Sequence, residues 1–343
     1  MGKETMLVAL GGNAILRADD KGTAEEQFRN IETICEQLLE LIKRGYELVI
    51  THGNGPQVGN LAIQQEVARR SVPPQPLDVL SAMTQGQIGY MIQQTLANDL
   101  KRAGISKPVV TVITQVLVDE DDVAFRSPQK PIGPFYDWRE AREVIDRDGY
   151  LIEKVKPTGK RAYRRVVPSP DPIRIVESDA IRRLVESGFV VIASGGGGIP
   201  VVTGDDGGLK GVEGVIDKDL AGEKLAEAIG ADIFLVITDV EKVKLNFGKP
   251  NEKDIDRMTV DEAERYLAEG HFLPGSMGPK VSACIRFIRW GGRKAVITSL
   301  DKSLDAIEGR AGTLVCRRLL REGHDPAEGR LPANELPGEA PDR

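Results

Sequence analysis

The sequence predicts an α/β fold built on a mostly parallel sheet. Three observations carry this. Short apolar runs of strand length alternate with amphipathic helical stretches, which implies βαβ crossovers. Glycine-rich segments follow several of those runs, where a parallel sheet gathers its ligands. The chain has 343 residues and is 41% hydrophobic, enough for two compact units or one large unit with insertions.

Residues 6–10 read as a first strand, apolar throughout. A helix follows over about 23–44, because Phe28, Ile31, Ile34, Cys35, Leu38, Leu41 and Ile42 recur at spacings of three and four. Gly45 ends it. Residues 47–51 form a second strand, with Pro56 placed at N1 of the next helix. A long helix spans about 77–103 and stops at Gly104. The Val-, Ile- and Thr-rich run 108–117 is a third strand. From 119 to 165 the rhythm breaks into scattered Pro, Gly and charge, which reads as a functional excursion of weak hairpins. It resumes with a helix over 178–187, N-capped by Ser178, and a buried strand over 189–193. A helix over 218–229 and a strand over 232–238 follow. Thr259 and Glu262 have capping-box spacing before a helix to about 269. A helix over 279–290 and strands over 294–298 and 312–316 complete the pattern. Beyond Cys316 periodicity is lost, and the segment reads as a solvated tail.

Charge and composition exclude several classes. Lys plus Arg is 46 and Asp plus Glu is 52, a net charge of −6. Nucleic acids and anionic membranes favour a basic surface, so neither is an expected partner. No apolar run reaches the roughly 18–20 residues of a membrane span. The first residues lack the pattern of a signal peptide, so the expected compartment is the cytoplasm. Cys35, Cys284 and Cys316 are widely spaced and fit reduced thiols rather than a disulfide framework.

The chemistry concentrates at strand ends. The first strand runs into Gly11-Gly12-Asn13-Ala14, the second into His52-Gly53-Asn54-Gly55-Pro56, and the strand over 189–193 into Ser194-Gly195-Gly196-Gly197-Gly198. Glycine lets a backbone approach a bound group closely and turn its N–H groups toward an anion. No GxxxxGK[ST] exists, so this is not a P-loop enzyme, and the loose Gly53, Gly55, Gly59 spacing does not make a dinucleotide fingerprint. Three anion loops point to phosphoryl chemistry, which needs positioning and positive charge. Lys218, flanked by Asp217 and Asp219, and Lys280, after Gly275-Ser276-Met277-Gly278-Pro279, stand at helix starts; Lys130 lies in the excursion. Each lysine alone would read as a surface charge. His52 reads either as a general base or as a residue fixing its loop. No HExxH or GxSxG hydrolase motif is present.

Taken together and in order, these motifs resemble those of the carbamate kinases, a group within the amino-acid-kinase superfamily. The resemblance runs from about 6 to 316 and includes Met83-Thr84-Gln85-Gly86, Lys130-Pro131-Ile132-Gly133-Pro134, Val167-Pro168-Ser169-Pro170 and Val215-Ile216-Asp217-Lys218-Asp219. It implies a three-layer αβα sandwich with two lobes over 1–316. The N-lobe to about 225 would hold the phosphoryl acceptor, with a protruding subdomain over 118–166. The C-lobe over 226–316 would hold the nucleotide, and 317–343 would be a disordered tail. The implied reaction is reversible: ATP and carbamate give ADP and carbamoyl phosphate, with Mg²⁺, in a cytoplasmic homodimer. Similar enzymes often run it toward ATP after arginine breakdown.

By position, Gly11, Gly12 and Asn13 would meet the transferring phosphoryl group. Gly53, Asn54 and Gly55 would line the acceptor side, with Gly196 and Gly197 bordering the crevice. Lys218, oriented by Asp217 or Asp219, would bind the phosphoryl group. Lys280, with Met277, Gly278 and Asp239, would meet the nucleotide, and Lys130 would close over the carbamoyl end. No residue is expected to ligate a resident metal. The sequence departs from the pattern at Lys244, where an aromatic residue is common. Two other readings are a kinase for another small acidic acceptor and a silent nucleotide or carbamoyl-phosphate sensor.

Overall fold

The computed structural model describes residues 3–317, except 18 and 274. The expected tail, from residue 318 on, lies outside the described residues. One eight-stranded sheet organises the chain. Its strands are β1 (Thr5–Leu10), β2 (Glu47–His52), β3 (Val109–Thr111), β4 (Val190–Ile192), β5 (Ile233–Thr238), β6 (Arg257–Thr259), β7 (Lys294–Ser299) and β8 (Thr313–Cys316). Their order across the sheet is β6-β8-β7-β5-β1-β2-β4-β3. The six strands from β7 to β3 run parallel, and β8 turns back antiparallel to β7.

The main helices are α1 (Ala24–Lys43), α2 (Gly55–Ala68), α3 (Leu77–Arg102), α4 (Trp138–Asp148), α5 (Lys218–Ile229) and α6 (Met277–Trp290). Strand residues alternate between two helical layers, as period-two side chains require. Met6, Val8 and Leu10 of β1 pack with Ile31, Ile34 and Leu38 of α1 and Ile88 and Ile92 of α3. Leu7 and Ala9 face Leu225 of α5 and Val281 and Phe287 of α6. This is the expected α/β sandwich, with helices on both faces of a mostly parallel sheet.

Local chemistry sets the boundaries. Thr23 caps α1 through a reciprocal bond pair with Glu26, and Thr259 does the same with Glu262 for the helix Val260–Ala268. Ser178 is not a cap but the first residue of its helix. The N-cap is Glu177, whose carboxylate is taken instead by the amide and side chain of Gln115, at 2.8 and 2.9 Å. The expected strand over 108–117 is two strands. Val109–Thr111 closes the main sheet as β3, while Gln115–Val118 joins a second sheet beside Ile199–Thr203 and Pro172–Ile175. Between them the Thr114 amide bonds the Gln85 side chain at 2.8 Å, and the chain leaves the main sheet there.

The excursion is more ordered than weak hairpins. Lys130–Tyr136, Tyr163–Val167 and Ile152–Lys154 form an antiparallel three-stranded sheet, joined by α4. Helix α4 buries only Ala141 and Val144, three residues apart on one face of an otherwise charged helix. Its ends were nonetheless encoded: Asp137 and Glu140 form a capping box, and Gly149 closes it in the left-handed conformation at φ 69°.

Candidate functional site

Sheet register brings the glycine loops together. Leu10 pairs with His52 on one side and Ile237 on the other, and Ile50 pairs with Ile192. The carboxyl ends of β1, β2, β4 and β5 therefore open onto one crevice. Gly53 sits so close to the first loop that a Cβ there would lie 2.8 Å from the Gly12 nitrogen and 3.3 Å from Cδ of Lys218. Gly196, at φ 68°, faces the Asn54 amide, and a Cβ would lie 2.2 Å from its nitrogen. Only glycine fits at these two positions.

Two lysines meet on one carboxylate at the base of this crevice. Lys218 Nζ donates to Oδ1 of Asp219 at 2.5 Å, and Lys280 Nζ donates to Oδ2 at 2.9 Å. Lys218 and Asp219 open α5, and Lys280 lies in the first turn of α6, so two helix N-termini converge on the cluster. Asp219 is buried. Burial pushes its carboxyl up, but Lys218 and then Lys280 outweigh it and hold the group below the usual carboxylate range. Burial pulls Lys218 below its ordinary value, against the attraction of Asp219. For Lys280 burial works the same way, yet Asp219 prevails and holds the ammonium above its ordinary value. A buried lysine of this kind gains most from an anionic group placed against it.

Asp217 plays a different part. Its side chain caps α5 by accepting from the Asp219 amide at 2.9 Å, and its other oxygen lies 3.9 Å from Lys130 Nζ. Lys130 is pulled down by burial, with Asp217 opposing that shift. The orientation of Lys218 thus belongs to Asp219, and Asp217 receives the lysine of the excursion. On the far side, Asn13 Nδ2 donates to Asp239 Oδ2 at 2.7 Å, which ties the first loop to the end of β5. Met277 and Gly278 start α6, whose N-cap Ser276 makes no side-chain bond to the helix amides. Lys244 sits in the hairpin Val243–Leu245 with Lys253–Ile255, paired to Glu252 at 2.6 Å and Asp254 at 3.2 Å.

A model of the amino acid kinase family matches residues 4–299. The chain belongs to the amino acid kinase family. It is 55% identical over 315 residues to the carbamate kinase of Thermococcus kodakarensis, covering 91% of this chain and 99% of that protein. It is 52% identical over 317 residues to the carbamate kinase of Pyrococcus furiosus, covering 92% and 99%. Among solved structures it matches the Giardia lamblia carbamate kinase bound to AMP-PNP, with a TM-score of 0.87, 39% identity and coverage of 92% and 99%.

In this amino acid kinase chain His52, expected either as a general base or as a residue fixing its loop, is bonded within that loop, and the partners of the other polar braces escaped the sequence reading. His52 is fully buried, with Nδ1 donating to the Gly53 carbonyl at 3.0 Å and its ring against Gly195. Burial lowers it to about 4, so it is neutral at physiological pH. Gln85 bridges to Thr114, accepting from its amide at 2.8 Å and donating to its carbonyl at 3.1 Å, and the Thr114 hydroxyl accepts from the Ser194 amide at 2.9 Å. Asn54 donates to the Thr84 hydroxyl at 2.8 Å. The available signal was a run of uncharged polar residues, Thr84 and Gln85, on a buried face of a long helix.

Proposed function

We propose that this chain is a carbamate kinase, transferring a phosphoryl group reversibly between ATP and carbamate, and that it can run toward ATP synthesis. The observation that carries the reading is the convergence of Lys218 and Lys280 on Asp219 between glycine loops at the sheet's carboxyl end. Phosphoryl transfer spreads negative charge over the moving group, and preorganised cations and amides stabilise it without reorganising. In this reading the part up to about residue 225 holds carbamate and the part over 226–316 holds the nucleotide. Gly11, Gly12 and Asn13 receive the phosphoryl group, and Gly53, Asn54, Gly55, Gly196 and Gly197 line the acceptor side. Lys218 binds the transferring group. Lys280, Met277, Gly278 and Asp239 serve the nucleotide. Lys130 closes over the carbamoyl end.

Mg²⁺ would neutralise phosphate charge. Among the described residues no cluster of three or more His, Cys, Asp or Glu could cage a metal ion, and both Asp219 oxygens already hold lysines. The ion therefore fits as a nucleotide complex, held by phosphates and water. The proposed assembly is a homodimer and the proposed compartment the cytoplasm. No helix among the described residues is long and apolar enough to cross a membrane.

A coupled assay tests the reading. Purified protein with Mg-ADP and carbamoyl phosphate is expected to form ATP at several turnovers per second or more, above a no-enzyme control. Lys218→Ala is expected to abolish nearly all of it. Protein that binds nucleotide but forms no ATP would overturn the choice of acceptor.

A further inference from the structure

Asn54 occupies the N-cap of α2, a position where asparagine ordinarily turns its side chain back onto the helix amides. Here it makes no such bond. Its Nδ2 donates instead to the Thr84 hydroxyl at 2.8 Å, and that hydroxyl donates to the Ser81 carbonyl at 2.7 Å. A hydroxyl has one hydrogen. With that hydrogen engaged by Ser81, the Thr84 oxygen can only accept. The Asn54 amide is thereby held with its NH₂ toward α3 and its carbonyl oxygen turned away. No described residue donates to that Oδ1. The amide lies against Gly196 Cα, between Gly53, which touches the first loop, and the N-terminus of α2.

Most polar groups around the crevice are donors. Glycine amides and the ammonium groups of Lys130, Lys218 and Lys280 suit the oxygens of an acyl phosphate. They cannot serve its amino group, which needs an acceptor. Both Asp219 oxygens already accept from lysines, Asp217 accepts from the Asp219 amide and faces Lys130, and one of the two Asp239 oxygens, Oδ2, accepts from Asn13 on the far side of the site. The Asn54 Oδ1 is neutral and fixed in direction. We propose that Thr84 is a positioning residue that locks Asn54 as the acceptor for the amino group of the carbamoyl moiety, and so sets the preference for carbamoyl over acetyl phosphate. This rests on the carbamate kinase reading above. A site built to bond a substrate N–H discriminates against an analogue lacking it, because the buried acceptor is left unpaired.

The experiment compares kcat/KM for carbamoyl phosphate and for acetyl phosphate, with Mg-ADP, in the wild type, Thr84→Val and Thr84→Ser. Valine keeps the shape and removes the hydroxyl; serine keeps the hydroxyl. Thr84→Val is expected to lower the carbamoyl-to-acetyl ratio by about tenfold or more, and Thr84→Ser to restore it to within about threefold of the wild type. Thermal melting reports whether each variant is folded, and Thr84→Ala, read by the same ratio, replaces Thr84→Val if valine prevents folding. A hydroxyl that only supports the helix would lower both activities together and leave the ratio unchanged, which overturns the inference while sparing the carbamate kinase reading. Wild-type protein that forms no ATP from carbamoyl phosphate overturns both.

Discussion

The floor and the roof of the crevice are held by different physics. The floor is buried charge in fixed geometry. Asp219 is 2% exposed and serves two lysines at once, behind glycine contacts that leave no room for a methyl group. The roof is the sheet-and-helix excursion, and its charged ties reach the surface. Arg69, at the end of α2, grips Asp148 of α4 with two bonds of 2.9 Å, and Arg147 reaches Glu66 at 2.8 Å. Only a small apolar seam lies beneath, Ile132 and Val167 against Val58, Leu77 and Leu80. A buried, cross-braced cluster tolerates almost no change. Partly exposed ion pairs over a thin seam loosen more easily. The same crevice thus has a buried, cross-braced base and a cover tied by partly exposed ion pairs over a small apolar seam.

Breaking the floor is expected to have the largest effect. Asp219→Asn leaves two buried lysines facing an uncharged amide, and removing one partner of a buried pair is far costlier than removing a surface one. We expect kcat to fall by about 10²–10³, with the KM for each substrate changing by less than about tenfold. Steady-state kinetics in the ATP-forming direction decide it. Near wild-type turnover would mean that the lysines are aligned by something other than Asp219.

His52 offers a sharper probe of the rigid half. Its pKa is lowered by burial from 6.5 to about 4. In acid the unfolded chain therefore takes up the proton first, so the stability tied to neutral His52 is complete above pH 6.5 and is lost as pH falls toward 4. Between pH 7 and 5 the loss is about 2 kcal/mol. Melting temperatures across that range should fall less steeply in His52→Gln than in the wild type. Activity should show no inflection from this residue between pH 5.5 and 8. An inflection near 6.5 that vanished in the variant would restore the general-base reading. Glu223, on α5, works in the opposite direction. Burial, with Glu227 beside it, raises its pKa to about 9, so its contribution is complete below 4.5 and is lost as pH rises through 9.

The difference between floor and roof also explains what could be read in advance. The floor announces itself locally: glycines gather at strand ends, and Asp217, Lys218 and Asp219 are adjacent in sequence. Sheet register then brings the loops together without further instruction. The braces are invisible by spacing because their partners are distant. Asn54 meets Thr84 thirty residues on, and Gln85 meets Thr114 after twenty-nine. Which aspartate orients Lys218 was open in the sequence, since both flank it; the helix cap formed by Asp217 decides it. In the roof, α4 carries few apolar residues in a highly charged stretch, and its capping box and closing glycine were the signals that mark it.

Loosening the roof is expected to have a smaller effect of a different kind. Arg69 and Arg147 hold the Asp148 carboxyl well below the usual range, which places a real ion pair there at neutral pH. Arg69 and Asp148 are a quarter and a tenth exposed, so salt weakens the pair without abolishing it. Arg69→Ala should free the end of α4 and, with it, the strand that carries Lys130 to Asp217. We expect the KM for carbamoyl phosphate to rise by about threefold to tenfold, with kcat changed by less than about twofold. Limited proteolysis within 127–167 should speed up in the variant. Salt should raise KM in the wild type toward the variant's value and do little to the variant itself. Arg69→Lys should recover only part of the loss, because a lysine supplies the charge without the two-pronged grip. If kcat fell as far as in Asp219→Asn while KM held, the roof would be as rigid a part of the catalytic geometry as the floor, and the division drawn between them would fail.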